Sequence, residues 1–117
     1  MCVPGCTVEE SFAGRPEWQL ACYRVVVGRL RDVGAVHEDA VGVGVFLKAE
    51  RKFAELRPKA RSLQVWFALR RRMRGERVAR ALPVGGGLVW HVVHVREPAD
   101  VDEELLGWLT EALVSCG

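Results

Sequence analysis

The residues of this chain best equipped for chemistry are its arginines and lysines. Between positions 48 and 80 stand Lys48, Arg51, Lys52, Arg57, Lys59, Arg61, Arg70, Arg71, Arg72, Arg74, Arg77 and Arg80, against only Glu50, Glu55 and Glu76. That tract carries a local charge of +9 in a chain whose total is +2, so the remainder is acidic. A guanidinium fork matches phosphate and carboxylate geometry, and so dense a tract attracts anions despite the mild total. The anion-binding set read from it is Arg57, Lys59, Arg61, Arg70, Arg71, Arg72 and Arg74, with Trp66 as a stacking partner; the implied partner is an anionic ligand or a nucleic acid. A competing reading pairs these cations with the acidic ends of the same chain, or uses them to keep strand edges solvated.

The remaining reactive side chains point to less. Cys2, Cys6, Cys22 and Cys116 lack the paired short spacings of a zinc site, so no metal is expected. Cys22 reads as a small buried apolar residue, and the other three as exposed, oxidation-prone thiols rather than a disulfide framework. His91 and His94, three apart on a strand, leave opposite faces and cannot share an ion. His37 stands elsewhere, beside Glu38 and Asp39. His91, next to Trp90, is the imidazole to single out, and the alternative function is a small-molecule binder or enzyme whose pocket is lined by Trp66, Trp90 and His91. Gly85-Gly86-Gly87 precedes a strand, the wrong order for a phosphate cradle, and Ser11, Ser62 and Ser115 stand in no nucleophile elbow. No catalytic residue and no cofactor is implied.

These groups must be carried by the elements of one domain, since 117 residues and 13.0 kDa leave little room for two cores. Half the residues are apolar, enough for a core, while no apolar run approaches a membrane span. The opening residues have neither the basic start nor the apolar stretch of a signal peptide, so a soluble cytoplasmic protein is expected. Thr7 caps a short helix over 8–13 that Gly14 stops. Trp18, Cys22, Val25, Val26, Leu30 and Val33 make an apolar stripe, which predicts a helix over 16–33 closed by Gly34. Alternation predicts strands over 41–47 and 63–69, with further strands over 51–57 and 88–96. Asp100, with Glu103 three residues on, reads as the capping box of a last helix whose stripe is Val101, Leu105, Trp108, Leu109, Ala112 and Leu113. The fold class is α+β: a mostly antiparallel sheet of about four or five strands, flanked by two N-terminal helices and one C-terminal helix. Because Trp66 leaves the sheet opposite Leu63, Val65 and Phe67, a second apolar face needs a cover, such as a second copy or a ligand.

Several stretches, taken in order, resemble one family. They are Phe12-Ala13-Gly14-Arg15-Pro16, Phe53-Ala54-Glu55-Leu56-Arg57-Pro58-Lys59, the strand Leu63 to Leu69, Arg77-Val78 and Trp90-His91, closed by Val101-Asp102-Glu103-Glu104-Leu105-Leu106 with Trp108-Leu109 and Ala112. Together they resemble a bacterial family of domains of unknown function, number 5655. The resemblance implies a small α+β unit, free or appended to other domains, and supplies no catalytic residues to carry over. The chain departs from the family pattern at 36–45, where it has His37-Glu38-Asp39 and a glycine–valine alternation.

Overall fold

A computed structural model describes residues 6–117. Two helices, α1 (Val8–Ser11) and α2 (Glu17–Arg31), precede six strands: β1 (His37–Val41), β2 (Gly44–Lys48), β3 (Lys52–Pro58), β4 (Leu63–Leu69), β5 (Val78–Gly85) and β6 (Leu88–Val95). A 3-10 turn, Pro98–Asp100, then leads into α3 (Glu103–Cys116). All strand pairs are antiparallel, in the order β1-β2-β3-β4-β6-β5. The class is α+β, with six strands rather than four or five.

Both additions come from strands that escape alternation. The apolar run at 41–47 is broken by a two-residue turn, Gly42-Val43, and only its first residue, Val41, belongs to β1, whose His37, Glu38 and Asp39 look like loop. Strand β5 is an edge strand paired only with β6, so it is largely exposed and tolerates Pro83, which could not donate within a central ladder. Gly86 and Gly87 join β5 to β6 with φ of +64° and +79°, the left-handed pair that a tight two-residue hairpin demands.

The helix ends have local causes. Thr7 accepts the Glu10 amide while Glu10 reaches back to the Thr7 amide, a complete capping box. Helix α2 runs from Glu17 to Arg31 with Pro16 at its cap, and closes on Asp32 before Gly34 is reached. The cap of α3 is Asp102, not Asp100; its carboxylate accepts the Leu105 amide, while Asp100 accepts the Arg96 amide in the preceding turn. The buried stripe of α2 is Gln19, Cys22, Tyr23, Val26, Val27 and Leu30, whereas Val25 and Val33 face solvent. Gln19 joins the stripe by donating to the Lys59 carbonyl at 2.7 Å, and Tyr23 by donating to the Glu38 carboxylate. The Tyr23 hydroxyl and the Gln19 amide nitrogen thus have partners inside, which hydrophobic periodicity cannot foresee, while Gln19 Oε1 is buried without one among the described residues.

The helices close one face of the sheet. Val45, Leu47, Leu56, Leu63, Val65, Phe67, Leu69, Val93 and Val95 meet Leu30, Leu105, Leu109 and Leu113 in a single core. Between Leu47 and Lys48 the β2–β3 register slips by one residue, and the extra residue, Phe53, is fully buried in that core. The slip leaves Lys52 on the opposite face. Among the described residues, no helix is long and apolar enough to cross a membrane.

Candidate functional site

The face away from the helices carries the most unusual arrangement. Asp39, Phe46, Glu55, Trp66, Val92 and Arg80 lie in register across all six strands, forming one row. Arg57, Gln64 and His94 form the row on one side of it, and Ala68, Trp90 and Leu82 the row on the other. Glu55 is only 5% exposed although no helix element covers it. Its carboxylate accepts from the Lys52 ammonium, and from Arg57 Nε at 2.7 Å. The two cations in turn lie on the aromatics. Lys52 Nζ is 4.0 Å from the centre of the Phe46 ring and 5.3 Å from that of Trp90, and Arg57 Cζ is 4.5 Å from that of Trp66. Trp66 Nε1 donates to Gln64 Oε1 at 3.3 Å. A buried carboxylate is tolerable here because two cations neutralise it, and cations on ring faces gain from the π quadrupole.

The basic tract does not form one patch. Arg57, Lys59 and Arg61 belong to the β3–β4 end of the sheet, and Arg70, Arg71, Arg72 and Arg74 to the loop beyond the other end of β4. Six residues of strand separate Gln64, the partner of Arg57, from Arg70, a distance of about 20 Å at the usual rise. Arg57 is held by Glu55; Arg61 is exposed; Lys59 is half-buried and gives its carbonyl to Gln19. Arg70 donates to the Ser115 carbonyl, and Arg71 grips Glu111 through two bonds of 2.9 Å. Outside the expected set, Arg77 binds Asp102 and Glu104 at the start of α3, and Lys48 binds Asp39.

Arg72, Arg74 and Arg80 are different. All three are exposed, and they line one depression of about 250 Å³ together with Met73, Gly75, Val78, Ala79 and Ala81. Among the described residues, no carboxylate lies within 4 Å of any of the three. Intramolecular pairing therefore accounts for Arg57 and Arg71 but leaves these guanidiniums open to an external anion.

His91 does not join Trp66 and Trp90. Its register partner is Phe67, one residue out of phase with Trp66, so it leaves the sheet on the helix side. There it is fully buried, stacks on Phe67 at 5.5 Å, and accepts the Met73 amide at Nε2 over 2.9 Å. Burial lowers its pKa, and the Arg71 and Arg72 charges push the same way, so the imidazole is neutral at pH 7. Its observable role is to anchor the arginine loop at Met73. A cavity of about 560 Å³ lies between Val33, Val36, Lys48, Ala49 and Leu113, and none of the three expected pocket residues lines it.

Cys22 is buried as expected, but Cys6 and Cys116 depart from expectation. Cys22 and Cys116 are free but buried, and burial pushes both thiols above their ordinary range, so Cys116 is shielded rather than exposed. Cys6 is disulfide-bonded, and Cys2 lies outside the described residues. No group of three or more His, Cys, Asp or Glu among the described residues is placed to hold a metal ion.

Phe46, Lys52, Glu55 and Arg80 stand on the open face outside the site set expected from the sequence, although Lys52, Glu55 and Arg80 belong to the charged tract at 48–80. Glu55 and Arg57 carry a usable signal, since opposite charges at i and i+2 of a strand share a face. Arg80 carries only its place in the basic tract and no signal of its face, because β5 does not alternate. The family described as "Domain of unknown function (DUF5655)" matches this chain over residues 8–113. No curated protein and no solved structure matches it.

Proposed function

The chain belongs to the DUF5655 family, and from that premise, which brings a fold and no chemistry, we propose that it is a binding module docking an anionic partner through its basic strand–loop surface. One observation carries the reading: Arg72, Arg74 and Arg80 line a common depression with no carboxylate in reach among the described residues. Arginines kept only for solubility need not converge. Held by Met73 on His91 and flanked by Arg71 on Glu111, the loop is braced at two points and presents its free guanidiniums with little ordering left to do.

The expected set thus narrows to Arg72 and Arg74 with Arg80 added, while Arg57, Lys59 and Arg61 form a second basic group at the far end of the face. The test is calorimetric titration with inorganic polyphosphate at 50 and 200 mM salt. Three phosphate contacts predict about a 20-fold loss of affinity across that range, from a slope of about −0.7 per contact. The charge reversal Arg72→Glu/Arg74→Glu/Arg80→Glu removes binding, whereas Arg71→Gln weakens it less. Polyphosphate binding that ignores both salt and the triple reversal overturns the reading.

A further inference from the structure

The open face answers what kind of anion this is. Resting on the reading above, we propose that the partner is a single-stranded nucleic acid, its bases lying on the sheet at Phe46, Trp66 and Trp90 and its backbone reaching Arg72, Arg74 and Arg80. The two parts of the site are joined by Arg80, which lines the arginine depression and also ends the row Phe46, Glu55, Trp66, Val92.

Three properties of the face select this occupant. First, the aromatics are half-buried on a sheet face that the core helices leave uncovered, and any base offers a π surface to such a platform. Second, the cation over Trp66 does not block that ring, while the Lys52 ammonium lies over Phe46 and Trp90. Arg57 lies over Trp66 yet keeps 30% of its side chain exposed, and a guanidinium plane is itself a stacking surface for a base. Third, basic groups stand beyond both ends of β4, Arg57, Lys59 and Arg61 at one and Arg72 and Arg74 at the other, with Arg80 on the β5 edge level with Trp66. A chain laid along about 20 Å of β4 therefore meets positive charge at each end.

The same features disfavour a second copy as the cover. A two-fold interface sets a patch against itself, and here Glu55 is already occupied by Lys52 and Arg57. Opposed copies would bring together Lys52, Arg57 and Arg80, while the carboxylates of the row are already taken, Glu55 by Lys52 and Arg57 and Asp39 by Lys48, so a net positive surface would be buried against itself. Duplex nucleic acid fits less well, because its bases are stacked internally and cannot lie flat on the rings.

The experiment compares a 12-nucleotide oligothymidylate, its duplex with oligoadenylate, and polyphosphate of matched charge. Binding of the single strand should quench tryptophan fluorescence in the unaltered protein, since Trp66 and Trp90 would stack on bases. It should also exceed duplex and polyphosphate affinity by 10-fold or more. Trp66→Leu/Trp90→Leu should lower single-strand affinity 10- to 100-fold and leave polyphosphate affinity unchanged. Trp66→Phe/Trp90→Phe keeps a ring at each position and should restore most of the affinity, which separates stacking from a folding defect. If single strand and polyphosphate bind equally without quenching, the nucleic-acid assignment falls and anion docking stands. If neither binds, both fall. A dimer on light scattering that Trp66→Leu/Trp90→Leu turns into monomer assigns the face to a second copy and overturns the proposal.

Discussion

Replacing Glu55 with Gln is the sharpest test of the open-face cluster, because it keeps shape and removes only charge. The Glu55 side chain is 6% exposed, and Lys52 and Arg57 beside it are 32% and 30% exposed. An amide has one acceptor oxygen, so one cation loses its acceptor and meets an NH2 group, while the other keeps a bond of about half the strength. A hydrogen bond to a charged group is worth about 1.5–3 kcal/mol, and the partly exposed cations regain some water, so the net cost is about 2 kcal/mol. With an unfolding entropy of about 2.1 cal/mol/K per residue, that cost lowers Tm by about 8 °C. Calorimetry with a urea titration measures it. The matched control is Glu103→Gln. Glu103 makes two bonds of 2.8 and 2.7 Å to Arg29, but the side chains are 78% and 42% exposed. Solvent and salt screen such a pair, so Tm should barely move. Equal shifts for the two variants would show that burial of Glu55 is not what gives the cluster its value.

Two further outcomes test other parts of the reasoning. Gly28 is exposed in α2 with nothing within 4 Å of an added Cβ, so Gly28→Ala should stabilise the protein by about 1 kcal/mol; Gly44→Ala should do the reverse, by about 1–3 kcal/mol, because its Cβ would stand 2.3 Å from the Leu56 carbonyl oxygen, and urea midpoints read both. His91 has a lowered pKa in the folded chain, so the unfolded chain takes up its proton first, and the stability it supports is whole above pH 6.5 and drains away as pH falls through the lowered value. His91→Gln, whose amide oxygen can still accept the Met73 amide, should flatten that loss between pH 6.5 and 5, and an unchanged slope would remove His91 from the account.

Much of the fold was readable because its signals are local. Thr7 with Glu10, the stripe of α3 and the alternation of Leu63 to Leu69 each sit within a few residues of what they determine. The same holds for the ordered stretches that resemble the family, which matches residues 8–113. What stayed hidden depends on distant partners. Tyr23 replaces Val25 in the α2 stripe because Glu38 stands ready to receive its hydroxyl, and β5 exists because β6 pairs with it despite Pro83. The arginines looked alike in the linear tract, yet Arg71 is satisfied by Glu111 and Arg77 by Asp102 and Glu104, while Arg72, Arg74 and Arg80 are not. No spacing rule separates those groups, since their carboxylates lie 25 or more positions away. Likewise, the linear order groups His91 with Trp90, but adjacent positions of a strand face opposite ways.

The extra residue at Phe53 makes the β2–β3 hairpin a counter that cannot be reset. Upstream and downstream of it the chain runs in opposite phase, and only with the insertion do the Phe53 ring and the Lys52 ammonium reach their own sides. Pairing the two strands in strict alternation with every residue kept would exchange their destinations, sending the ammonium to the core face and the Phe53 ring to the open face. Register between Gly44 and Pro58 is therefore as tightly specified as residue identity, whereas a change at a turn such as Gly86-Gly87 moves no side chain from one face to the other.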